Sequence, residues 1–136
     1  MPLLTAWIEG EPVAKARPRV TMIGGRARAY TPKKSADWEK HIRANLQCEP
    51  TDVPVALKIQ FHLPIPKSYS KAKRQQAIDG LILPAKKPDI DNLIKAVMDA
   101  LNDYAWLDDN QVVQVSAMKR YSESPGVWID VLDGSP

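Results

Sequence analysis

Six aspartates fall within residues 88–110, and Lys95 is the only basic residue among them. Asp89 and Asp91 stand one residue apart in the stretch KKPDIDNLIKAVMDALN, residues 86–102, and Lys95 and Asp99 follow at steps of four. Two carboxylates at that spacing, joined by a third from the following loop (Asp108 or Asp109), make a hard, oxygen-rich site. Mg²⁺ suits such a donor set, with Mn²⁺ as a substitute, because both ions keep coordination positions for water and substrate phosphate. A calcium loop is excluded, since a regular helical pattern follows the pair directly. Lys95, one turn along, is placed to neutralise charge that builds on a scissile phosphate. The plainer explanation is a capping carboxylate and a solvated helix face, with Lys95 paired to Asp91 or Asp99 for a few tenths of a kcal/mol. A cap accounts for one aspartate, but neither for the pair nor for Asp108-Asp109.

The basic residues cluster elsewhere. Residues 1–48 hold nine lysines and arginines against four acids, within a net charge of +3. Lys15, Arg17 and Arg19 alternate in a proline-broken loop, and Arg26 and Arg28 alternate on the strand after it. Residues spaced by two along an extended chain point the same way and can meet successive phosphates, which positions DNA without reading its sequence. Solubility is the competing explanation. Lys67, Lys71, Lys73 and Arg74 would extend the same surface.

Composition sets the frame. A chain of 136 residues, 44% hydrophobic and 26% charged, suits a single domain over 1–136 with its own core. Cys48 is the only cysteine, which excludes an internal disulfide and a thiolate metal cluster. No apolar run is long enough to span a bilayer, and MPLLTAWIEGEP lacks the features of a signal peptide. The expected compartment is the cytoplasm.

The elements that must position these groups follow from periodicity. LLTAWIEG predicts a first strand, and Gly24-Gly25 turns a short hairpin. Thr31 and Pro32 open a helix over KKSADWEKHIRANLQ, with Trp38, Ile42 and Leu46 on one face. VPVALKIQFHLP alternates as a strand with one buried side. Ser70 caps and Gly80 ends a short polar helix. The aspartate-rich helix runs from about Asp91 to Asn102, with Leu93, Val97 and Leu101 as its apolar stripe. QVVQVSAMKRYS and GVWIDVLD, separated by ESPG, read as a C-terminal hairpin. Trp106 is expected to anchor the acidic loop to the helix, and His41, His62 and Cys48 are expected to be structural. The fold class is α+β: a small mixed sheet with helices packed on one face.

The stretch KPDIDNLIKAVMDALNDYAWLDDNQV resembles the signature of RusA-type Holliday junction resolvases. GEPVAKARPRV followed by RAYTP is similar to the N-terminal part of many members. The resemblance implies a metal-dependent endodeoxyribonuclease that resolves four-way branched DNA by paired, symmetric nicks in recombination and repair. It implies metal binding by Asp89, Asp91 and the second acid of the W-x-D-D pair, Asp109, with Asp108 as its possible replacement and Lys95 assisting. It also implies a homodimer, which suits two nicks on strands of the same polarity. The alternatives are a non-catalytic junction- or single-strand-binding protein and a nuclease for other branched DNA.

Overall fold

The computed structural model describes residues 2–16, 19–30 and 32–136, and at 19, 29 and 30 the backbone. Arg17 and Thr31, both named above, lie outside the described residues, as does the side chain of Arg19.

The strict alternation of residues 55–63 decides the centre of the sheet. Strand β4 (Val55–Pro64) buries Val55, Leu57, Ile59, Phe61 and Leu63 on one side. A strand so fully buried on one face belongs inside a sheet. It lies between β5 (Val112–Ser122), to which it is parallel, and β6 (Gly126–Asp133), to which it is antiparallel. Strand β1 (Pro2–Glu9) completes the order β1-β6-β4-β5. The mixed sheet is as expected, but its C-terminal half is not a hairpin. β5 and β6 flank β4 instead of pairing with each other. The residues between them, 123–125, cross the end of β4, where Pro64 closes the strand. Two strand spacings are about 9.5 Å, which a short extended link spans. Adjacency in sequence therefore misled, because the link is long enough to pass over a strand and β4, with its one fully buried side, takes the central place.

Helices α1 (Lys33–Ala44) and α3 (Ile90–Leu101) cover one face of the sheet. Trp38 and Ile42 of α1, Leu46 beyond its end, and Leu93, Val97 and Leu101 of α3 share a single core with Ile8, Phe61 and Ile129. Helix α2 (Lys71–Ile78) starts at Ser70, whose hydroxyl accepts from the Lys73 N–H, and its Ala77 joins Leu63, Ile65 and Tyr121 in a second, smaller cluster. Strands β2 (Arg19–Ile23) and β3 (Arg26–Tyr30) form a separate hairpin. Gly24 and Gly25 both take positive φ, 57° and 76°, as a tight two-residue turn of this hand requires.

The opposite face of the sheet carries no helix. Trp7, His62 and Trp128 meet there, with Trp7 at 5.1 Å from the His62 ring and 5.3 Å from Trp128. The Trp7 ring lies flat over Gly126, where a Cβ would enter the ring and stand 2.6 Å from the Ile8 carbonyl. Gly126→Ala should therefore pry β1 from β6 and cost about 1–3 kcal/mol, the usual scale of overpacking. Urea denaturation measures this, and a midpoint equal to that of the wild type would show that the ring yields freely.

Candidate active site

The site is organised by α3. Its buried stripe, extended by Ala96 and Ala100, forces Asp91 and Lys95 outward and leaves Asp99 half-buried at the edge. Asp89 is the residue at the helix N-cap, and its carbonyl accepts from the Leu93 N–H at 3.1 Å. Its side chain makes no capping hydrogen bond. Among the described residues the Asp91 carboxylate accepts only from the Asn92 N–H, at 2.9 Å. So neither acid is consumed in ending the helix, and both are exposed where the helix dipole favours further negative charge.

Two lysines hold this end of α3 in place. Lys119 of β5 donates to the carbonyls of Lys86 and Pro88 at 2.9 and 3.0 Å, fixing the backbone that leads into Asp89. The Lys15 N–H donates to the Asn92 carbonyl at 2.8 Å. The Lys15 ammonium pairs with Glu39 of α1 at 2.8 Å and with Asp99 of α3 at 3.1 Å. The other Asp99 oxygen pairs with Lys95 at 2.9 Å. Burial alone would lower the Lys15 pKa, but its hydrogen bonds to Glu39 and Asp99, and their charges, outweigh it and raise the pKa above the ordinary lysine value. Lys15, expected to meet DNA, is thus committed to two carboxylates, with its side chain only 16% exposed. Two of its three ammonium donors are occupied by these carboxylates.

The loop after α3 gathers at the other end of the helix. Trp106 is fully buried, and its Nε1 donates to Asp109 at 2.8 Å, the anchoring role expected of it. Asp108 caps the short 3₁₀ turn Asp109–Gln111 by accepting from the Asn110 N–H, while the Gln111 side chain accepts from the Asp108 N–H. Gln111 also donates to the carbonyls of Thr51 and Val53. The twelve residues of α3 separate this loop from Asp89 and Asp91 by about 18 Å at 1.5 Å per residue. Within one chain the structure brings Asp89 and Asp91 together, but not Asp109 or Asp108 with them. Among the described residues no three acidic, histidine or cysteine side chains stand close enough to hold a metal.

A cleft of about 620 Å³ opens beside Asp89. Its walls are the loop from Glu11 to Ala16, the start of α1 at Pro32, Lys34 and Ser35, and Lys87, Pro88, Asp89 and Asn92. The Ser35 hydroxyl accepts from the Ala16 N–H at 3.1 Å, which ties the loop to α1. Both roots of the β2–β3 hairpin, Ala16 and Pro32, therefore border the cleft that Asp89 faces. Arg26 and Arg28 are exposed on that hairpin. The other candidates are structural: His41 bonds the Glu9 carbonyl, His62 bonds Gln60, and the Cys48 thiol, its pKa pushed up by burial, donates to the Tyr104 carbonyl. Sequence reasoning missed Lys119 and Glu39. Lys119 sits in the inward phase of β5 between Ala117 and Tyr121, and a charge in that phase was a legible signal. Glu39 follows Trp38 in the buried part of α1, and nothing in its spacing marks it.

A small α+β domain with unspent carboxylates at a helix start, bordered by a basic hairpin, belongs among proteins that handle a polyanion. The comparison with known proteins is specific: residues 9–132 match the family described as Endodeoxyribonuclease RusA, and the chain belongs to that family. It is also 37% identical over 134 residues to the "Uncharacterized protein YqaN" of Bacillus subtilis (strain 168), covering 94% of each chain. Among the described residues no helix is long and apolar enough to cross a membrane.

If Lys15 is an internal strut, Lys15→Met should cost about 1–3 kcal/mol, the scale for leaving a partly buried charge without its partner. Glu39→Gln should cost less in that background than alone, a coupling of more than about 0.5 kcal/mol in a double-mutant cycle. Urea titration of the four proteins gives the answer, and strict additivity would show that the pair does not act as one unit.

Proposed function

We propose that this protein is a divalent-metal-dependent endonuclease that resolves four-way DNA junctions, acting as a homodimer whose two copies share each active site. Family membership makes it an endodeoxyribonuclease. The observation that carries the finer reading is the pair of uncommitted carboxylates, Asp89 and Asp91, beside the cleft. The donor set fits Mg²⁺ or Mn²⁺: every candidate ligand is a carboxylate, and among the described residues Asp91 and Asp109 each spend only one oxygen on a protein donor. In this reading Asp89 and Asp91 come from one copy, and Asp109 from a second copy whose α3 runs the other way. A two-fold axis that brings one helix start to the other's end does this twice, once for each nick.

The surface along α3 supports that pairing. Ile94 and Met98 are only half-buried. Val115, on the helix-facing side of β5, is 41% exposed, and Val113 and Leu107 are more exposed still. An antiparallel partner helix would cover this strip.

The chemistry follows from what each residue holds. A bound divalent ion supplies Lewis-acid polarisation of the phosphate and a water more acidic than bulk water. Asp89 and Asp91 would hold that ion beside the cleft. Water oxygen attacks phosphorus in line, the bond to the 3′ oxygen breaks, and that oxygen leaves with a proton, giving 5′-phosphate and 3′-hydroxyl ends. Lys95, 61% exposed and tethered by Asp99, presents its ammonium to the charge developing on the phosphate. Arg26 and Arg28 hold the flanking backbone, together with Arg17 and Arg19, whose side chains are outside the described residues.

A synthetic four-way junction should be nicked symmetrically only when Mg²⁺ or Mn²⁺ is present. Asp91→Asn should lose cleavage and keep junction binding, since removing a carboxylate also removes a charge that repels phosphate. Asp109→Asn should be inactive alone, yet mixing the two inactive variants should restore cleavage, because half of the sites in a mixed dimer are intact. No recovery on mixing, with subunit exchange demonstrated, would place all ligands in one chain. Lys95→Ala should slow cleavage by about a hundredfold at saturating metal and DNA. Near-normal turnover would return Lys95 to the helix surface.

A further inference from the structure

The β2–β3 hairpin has a composition that phosphate contact alone does not explain. Residues 19–30 contain three arginines and no carboxylate, but they also contain Val20, Met22 and Ile23. These three are 68%, 67% and 55% exposed. Every residue from Val20 to Arg28 is exposed, so among the described residues these apolar side chains belong to no core. The register places the two chemistries side by side. Met22 stands opposite Ala27 and, like Val20, on one side, while Thr21 faces Arg28 and Ile23 faces Arg26 on the other. The tip thus carries Met22 on one side and Ile23 beside the Arg26 guanidinium on the other, with Arg28 two residues further back.

Such a ribbon costs free energy in water unless something receives its apolar tip. Two facts identify the occupant. The absence of any acid among three arginines makes the hairpin complementary to a polyanion and repelled by basic protein surfaces. Its roots, Ala16 and Pro32, line the cleft beside Asp89, so whatever phosphate enters that cleft lies at the base of the ribbon. Five residues per strand carry the tip about 17 Å from that base.

We propose that the hairpin is a branch-point probe: Met22 and Ile23 insert where base stacking is interrupted at the crossover of a branched DNA, while Arg26 and Arg28 clamp the adjacent phosphates. This rests on the function proposed above and deepens it by naming the feature that tells branched from linear DNA. Apolar side chains placed between base steps unstack them at a cost of a few kcal/mol per step in a continuous duplex. At a crossover that stacking is already broken, so the same insertion favours the branch. Arginines contribute equally on either substrate, since both present phosphates. The discrimination therefore sits in the apolar tip, and the general affinity in the guanidinium groups.

The test uses the full chain with a four-way junction that carries 2-aminopurine at the crossover, and a linear duplex of the same sequence. Binding of the wild-type protein should raise the 2-aminopurine fluorescence. Met22→Ser/Ile23→Ser should abolish that rise and reduce the preference for junction over duplex by about tenfold, with duplex affinity unchanged. Met22→Ser alone should show an intermediate effect. Arg26→Ala/Arg28→Ala should weaken both substrates alike and lower the slope of log K against log[salt] by about 1.8. An unchanged fluorescence rise and preference in the serine variants would overturn the proposal. So would a change in their sedimentation, which would place the tip in a contact between copies of this chain. If the wild-type protein shows no preference for junctions at all, the function proposed above fails first, and the probe with it.

Discussion

The ammonium of Lys15 is where three separate parts of the chain are joined. It links the N-terminal loop to α1 through Glu39 and to α3 through Asp99, while its backbone holds Asn92. Each of these contacts is long-range, and together they close one wall of the cleft beside Asp89. The same pair of Asp99 oxygens serves Lys15 on one side and Lys95 on the other. An internal cation thus aims the carboxylate that aims an external cation. Partly buried charges of this kind are costly unless satisfied, and none of the described side-chain polar atoms in the interior lacks a partner.

The layout of the acidic end follows a similar economy. Lys119 fixes the backbone that leads into α3, and the Asp89 side chain makes no capping hydrogen bond, so the acid at the positive end of the helix dipole is not spent on the cap. At the other end the roles are divided. Asp108 does the capping, and Asp109 is held at one oxygen by an indole N–H. Neighbouring acids with the same chemistry thereby take different hydrogen-bonding roles.

Much of this was legible in the residues. The 55–63 alternation, the α3 stripe, the Ser70 cap and the Gly24-Gly25 turn all depend on local periodicity or local φ, and the structure bears them out. What was not legible is non-local. Lys15 looked like part of a basic run because Glu39 and Asp99 are 24 and 84 positions away, and spacing carries no information at that range. The α3 length was readable, but not that the W-L-D-D loop would stay at its far end. The C-terminal strands read as a hairpin because a short link normally pairs its strands, and nothing local shows a third strand coming between them.

That intervening strand has a consequence for how the chain comes to be folded. Among the described residues β6 alone bonds to β1, and it also pairs with β4. Until residues 126–133 have left the ribosome, β1 lacks the neighbour that it has in the folded sheet. The sheet closes from its newest end, by contacts of high contact order, which are slow to form. Closure of the sheet is therefore gated by β6, and the edges of β1 and β4 are the surfaces that a chaperone would have to shield in the interval.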